Sequence, residues 1–309
     1  MQNYLLPMAK KTFIYILILS VASIPLGFAQ GYTIEANGAK LHYKIFGKGE
    51  PLLIINGGPG MNSNGFAEMA KNLAENYQTI IYDQRGTGQS ILSNRDHTAV
   101  TMDWMVKDME ALRKYLKLEE WTLLGHSFGG MLAYYYATKH PERVKAMIQS
   151  SSGGMDLALL SLINLRDKLS EMEWDSLQHY QSQLNEGDTS YATQLKRGEF
   201  MAPAYLYNRK HIPVLAERLT QGDSQLNGWV WADLRKINFD TKETLSSFEK
   251  PVLIIHGRND LLDEAVAETA HQILPNSQLE LLDRCAHYGW LDRPDVYYKL
   301  IDTFMSHIN

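Results

Sequence analysis

Short, uninterrupted apolar runs separated by stretches with helical spacing constrain this chain more than any other feature. Pro51–Asn56 (PLLIIN), Thr79–Tyr82, Trp121–Leu124, Val144–Ile148 and Pro251–His256 (PVLIIH) are each four to six residues long and dominated by Leu, Ile, Val and aromatics. A strand with one wet face alternates apolar and polar residues, whereas a run without alternation is buried on both faces. Between these runs, Phe66–Glu75, Met102–Leu116 and Met131–Thr138 repeat apolar residues at helical spacing. The β-α-β-α order calls for a mostly parallel sheet covered by helices on both faces. Ahead of it, Tyr32–Glu35 and Leu41–Phe46 flank Asn37-Gly38, the residue pair favoured in a tight hairpin turn.

The rhythm stops near Gly153-Gly154 and resumes at Pro251. The stretch between reads as helical, rich in Leu, Gln, Tyr and Trp. The expected organisation is therefore one α/β core, residues 30–154 and 246–309, interrupted by a helical cap, residues 155–245. In the last part, a helix is expected near Ala265–Ile273, a strand at Gln278–Leu282 and a final helix from Pro294.

Residues 1–29 have the composition of an export signal. Lys10 and Lys11 precede an apolar run from Phe13 to Phe28, and Gly27-Phe28-Ala29 offers small residues for cleavage. The run is shorter than the roughly 20 residues that span a bilayer comfortably, although an uncleaved anchor is the alternative. A secreted or periplasmic protein starting at Gln30 is expected, without stable membrane insertion once the signal is gone. Cys285 is the only cysteine, so no internal disulfide can form. The formal charge is −5 and shows no basic patch of the kind that seeks nucleic acid. A small molecule or a short peptide is the expected partner.

Gly125-His126-Ser127-Phe128-Gly129 fits G-x-S-x-G directly after the strand at Trp121–Leu124 and opens a helix. A strand-to-helix turn of this kind holds the serine in a strained conformation with its hydroxyl raised above the sheet. A serine hydroxyl is a poor nucleophile until a base takes its proton and an acid orients that base. In this arrangement the acid and then the histidine follow the serine along the chain. Asp260 follows the strand at Pro251–His256 and His287 follows the strand at Gln278–Leu282, both at the strand ends where open parallel sheets bind ligands. Asp263 and Asp283 are the rival acids. His126 and His256 are read as structural, and Cys285 as a packing residue. The Phe128 N–H at the helix start and the Gly58 N–H in Asn56-Gly57-Gly58-Pro59-Gly60 are the expected donors to an oxyanion. No metal-ligand spacing such as HExxH or CxxC occurs, and this chemistry calls for neither metal nor cofactor.

Asn56–Gly60 (NGGPG), Asp83–Ser90 (DQRGTGQS) and Gly125–Gly130 (GHSFGG) together resemble the proline iminopeptidase branch of the α/β-hydrolase family. The resemblance covers residues 31–154 and 246–309 and is weak across the insertion. It implies an α/β-hydrolase core under a helical cap, with hydrolysis of an N-terminal residue, often proline. On that resemblance Asp83 and Arg85 shape a loop beside the site without taking part in the chemistry. The family usually has His where this chain has Asn56. Its cap glutamates hold the substrate amine; Glu199 and Glu217 are the candidates here. A carboxylesterase or lactonase would need the same triad and no acidic amine pocket, and a non-catalytic binding protein on the same fold is the remaining alternative.

Overall fold

The computed structural model describes residues 31–308, so the expected export signal lies outside the described residues. Nine strands form one sheet: β1 (Gly31–Ala36), β2 (Ala39–Phe46), β3 (Pro51–Ile55), β4 (Gln78–Tyr82), β5 (Ile91–Leu92), β6 (Trp121–His126), β7 (Val144–Ser150), β8 (Val252–Gly257) and β9 (Ser277–Leu282). Their order is β1-β2-β4-β3-β6-β7-β8-β9, with β5 paired to β2. From β4 to β9 every neighbouring pair is parallel. Only β2 runs against the others, pairing antiparallel with β1, β4 and β5. The mostly parallel α/β architecture expected from the apolar runs is the one that forms.

The helices are α1 (Ala67–Leu73), α2 (Met102–Tyr115), α3 (Phe128–Lys139), α4 (Glu171–Asn185), α5 (Tyr191–Met201), α6 (Ile212–Leu219), α7 (Ser224–Lys236), α8 (Lys242–Leu245), α9 (Ala265–Ile273), α10 (Gly289–Asp292) and α11 (Pro294–Ile308). They explain why the strands read as continuous apolar runs. Leu53 and Ile55 of β3, Leu123 of β6 and Val252 and Ile254 of β8 face a core built with α2, α3 and α9. Their neighbours Leu52, Ile54, Leu124, Leu253 and Ile255 face a second core built with α1 and α11. Successive side chains still point to opposite faces, but both faces are dry. Each such side chain contributes roughly 1.5–3 kcal/mol by burial. The β1–β2 turn has Asn37 at φ 53° and Gly38 at φ 70°, the left-handed pair that a two-residue hairpin requires. The two-residue strand β5 carries no periodic signal, being too short for one.

Between β7 and β8 the regular elements among the described residues are helical. This segment leaves and rejoins the core at one place. Asp156 and Asp240 form an isolated antiparallel bridge, and the Thr241 N–H donates to the Met155 carbonyl at 2.8 Å. Thr241 Oγ1 donates to the same carbonyl at 3.0 Å, and Lys242 pairs with Asp156.

Candidate active site

Ser127 sits between β6 and α3 with φ 55° and ψ −121°, a conformation that costs about 1–3 kcal/mol and needs its surroundings to hold it. They do so through the backbone. The Ser127 N–H donates to the Ser150 carbonyl at 3.1 Å, and the Ser127 carbonyl accepts from Gly130 at 2.9 Å and Gly153 at 3.0 Å. Room for the turn comes from missing side chains. A Cβ at Gly129 would lie 2.0 Å from the Ile55 carbonyl oxygen, and one at Gly125 would lie 2.5 Å from that of Gly129. Gly129→Ala should therefore cost about 3 kcal/mol, read as a fall in the denaturant midpoint; an unchanged midpoint would contradict this packing. Phe128 is the first residue of α3, so its N–H has no acceptor within the helix.

Asp260 and His287 reach this point from the turns after β8 and β9. His287 Nδ1 lies 2.9 and 3.0 Å from the two Asp260 oxygens, both residues being buried. Burial disfavours the Asp260 carboxylate. The charge and hydrogen bond of His287, with smaller help from His256 and the Leu262 N–H, outweigh that effect and hold its carboxyl below the usual range. An ionised Asp260 keeps the proton on Nδ1 and leaves Nε2 as the basic nitrogen. Ser127 and His287 line the same cavity of about 270 Å³. No hydrogen bond joins them among the described residues; such contacts commonly tighten only when substrate is held.

The rival acids sit outside this arrangement. Asp263 accepts from the Ala265 N–H, and Asp283 pairs with Arg258 at 3.1 Å on the surface. His256 lies beneath Asp260, its Nε2 3.1 Å from the Leu262 carbonyl. His126 packs among Phe66, His287, Tyr288 and Trp290, with Nδ1 3.0 Å from the Ser150 carbonyl. Burial, then the charges of His287 and Arg218, push it toward the neutral form. Burial raises the Cys285 thiol to about 12, which suits packing and not nucleophilic attack. Asp83 accepts from Ser63 and the Gln89 N–H, while Arg85 forms a buried fork with Asp108 at 2.8 Å. Neither residue lines the cavity.

The helical segment supplies the opposite wall through Leu160, Ile163, Tyr205, Leu219, Asn227 and Trp231. Glu199 and Glu217 are not part of it. Glu199 pairs with Lys196 at 2.6 Å, and Glu217 accepts from the exposed Tyr191 hydroxyl. Charge alone recommends these two glutamates, and the structure directs both to partners on the surface of the helices. They are not placed to receive a substrate amine. No carboxylate lines this cavity among the described residues. In the polar groove next to it, Asp188 is engaged by Thr193 and the Ser190 N–H, and Asp223 by Arg95 and the Leu226 N–H. Among the described residues no group of three or more His, Cys, Asp or Glu is placed to hold a metal ion.

The family described as alpha/beta hydrolase fold matches residues 50–294. The chain belongs to that family. Over 282 residues the hydrolase is 28% identical to a proline iminopeptidase of Lactobacillus acidophilus, with 87% of this chain and 95% of the relative covered. A proline iminopeptidase of Lactobacillus delbrueckii subsp. bulgaricus is 31% identical, with 82% and 89% covered. The hydrolase thus falls in the proline iminopeptidase-like branch, as its motifs imply. An alpha/beta fold family hydrolase from Bacillus anthracis str. Sterne superimposes with a TM-score of 0.73 at 19% identity, covering 89% of this chain and 99% of that one. That likeness extends the agreement to the fold.

Sequence reasoning missed Tyr205, whose ring meets His287 edge-on at 5.6 Å and whose carbonyl accepts from the His287 N–H at 3.1 Å. It also missed Trp231, Asn227 and Arg218. Only Arg218 left a signal: it lies three residues after Leu215, on the buried face of α6, where a charge is out of place.

Proposed function

We propose that this hydrolase works by acyl transfer through a covalent acyl-enzyme. His287 takes the Ser127 proton, Ser127 attacks the substrate carbonyl, and Asp260 orients His287 and stabilises its cationic form. The N–H groups of Phe128 and Gly58 receive the oxyanion. Water activated by His287 then releases the acid. The observation that carries this reading is the buried Asp260–His287 pair opening onto the cavity that the strained Ser127 also lines. The leader-like composition of residues 1–29 supports export, and the helical segment over the cavity is read as its cap.

Two substrate readings rest on different observations. Relationship to proline iminopeptidases supports release of an N-terminal residue. The wall of the cavity supports a neutral acyl group, as in a carboxylester or lactone. A protonated amine buried there would meet no carboxylate, and an unpaired buried charge is strongly unfavourable. Because specificity belongs to the site, we adopt the ester or lactone reading.

One experiment tests both levels. A fluorophosphonate probe should label Ser127 and leave Cys285 untouched, as judged by mass spectrometry of the labelled peptide. Values of kcat/KM should be high for p-nitrophenyl butyrate, and N-acetylation should not impair any turnover of proline p-nitroanilide. Label on Cys285 would overturn the acyl-transfer reading. Fast prolyl cleavage abolished by acetylation would restore the aminopeptidase.

A further inference from the structure

Arg218 of α6 is buried, yet among the described residues its hydrogen bonds go only to carbonyl oxygens: Nη2 donates to Gly57 at 2.9 Å and Nη1 to Asn62 at 3.4 Å. Its guanidinium lies 4.7 Å from the centre of the Phe66 ring. No carboxylate forms an ion pair with it among the described residues. Leaving a buried cation without a counter-charge is costly, so its retention calls for a local reason. The space it fills is shaped for it. A Cβ at Gly65 would stand 2.5 Å from Nη1 and 2.7 Å from Cδ.

The acceptor identifies the reason. The Gly57 carbonyl belongs to the same peptide unit as the Gly58 N–H, and the bond between them is trans. The two groups therefore point in opposite directions. Asn56 Nδ2 also donates to the Gly57 oxygen, at 3.2 Å, and to the Met61 carbonyl at 3.0 Å, pinning both ends of the loop. A cation drawn to the carbonyl oxygen pulls electron density along the amide. It strengthens the N–H at the far end, as successive hydrogen bonds polarise one another. Gly58 lines the cavity with Ser127.

We propose that Arg218 is a positioning residue for the oxyanion hole. It fixes and polarises the Gly57–Gly58 peptide from outside, with Asn56 as its neutral partner. The proposal rests on the acyl-transfer reading above. It also makes the helical segment a working part of the reaction centre, since α6 carries the charge while the core carries the loop.

The test compares wild type, Arg218→Met and Gly65→Ala. The last keeps the arginine but crowds its guanidinium off the Gly57 carbonyl. In both variants kcat should fall about 30-fold, somewhat less than the loss on deleting an oxyanion donor outright, while KM shifts less than about threefold. The inhibition constant of a boronic acid, which forms a tetrahedral adduct on serine, should rise by the same factor as kcat/KM falls. Millimolar guanidinium should restore part of the activity of Arg218→Gly. If Arg218→Met does not fold, Gly65→Ala decides. Unchanged kcat in the folded variants, or a change confined to KM, overturns the proposal while leaving acyl transfer standing. Wild-type protein that takes no fluorophosphonate overturns both.

Discussion

Ser127→Ala should lower kcat by about 10⁶ on any substrate the enzyme accepts, comparable to loss of the nucleophile in serine proteases. The thermal midpoint should shift by no more than about 2 °C, since a loss well under 1 kcal/mol moves a chain of this size very little. The strained backbone is held by bonds to the Ser127 N–H and carbonyl, which alanine keeps. The hydroxyl that is lost makes no hydrogen bond within the described residues. Stopped assays with active-site titration of the wild type and a calorimetric scan of both proteins decide the matter. Turnover near the wild-type rate would remove Ser127 from the mechanism.

Asp260→Asn should lower kcat by about 10⁴, chiefly because an amide no longer keeps the His287 proton on Nδ1. An asparagine can turn its NH₂ toward the ring, favouring the tautomer whose Nε2 carries the proton and cannot accept one from Ser127. The same substitution should change stability at low pH. The folded-state pKa of Asp260 is depressed, so its ionised form contributes stability above the ordinary carboxylate range. That contribution is lost as pH falls through the depressed value. The gap in thermal midpoint between wild type and Asp260→Asn should therefore shrink below about pH 4, near the unperturbed value. A gap independent of pH would mean the carboxylate is not held by His287 in the way the geometry indicates.

The two halves of the site differ in how far the sequence discloses them. Ser127 and Asp260 each sit just past a strand whose apolar run is unmistakable, and His287 follows the next strand along the chain, so strand ends and chain order suffice to bring three distant positions together. Gly58 and Phe128 follow because a loop and a helix start must face that point. The opposite wall is not accessible in this way. Tyr205, Asn227 and Trp231 acquire their role only when the helical segment is laid across the core, and amphipathic spacing does not report which core residues a helix will meet. Glu199 and Glu217 show the cost of choosing by charge, since carboxylates on a helical surface find lysines and tyrosines nearby. Arg218 shows the more useful sign, a charge placed where the spacing demands an apolar residue.

The adjoining ends of the helical segment have a consequence for how enzymes of this design diversify. Met155 and Asp156 are tied directly to Asp240, Thr241 and Lys242, so the chain departs from the sheet and returns through one narrow neck. What lies beyond the neck can lengthen, shorten or be replaced while the register between β7 and β8 stays fixed, provided a cation such as Arg218 still reaches the Gly57 carbonyl, and closing a longer loop adds little entropic cost. Recombination at the neck would bring in a new substrate range as a single cassette. The strands that carry the serine, the acid and the histidine would pass unaltered from parent to descendant.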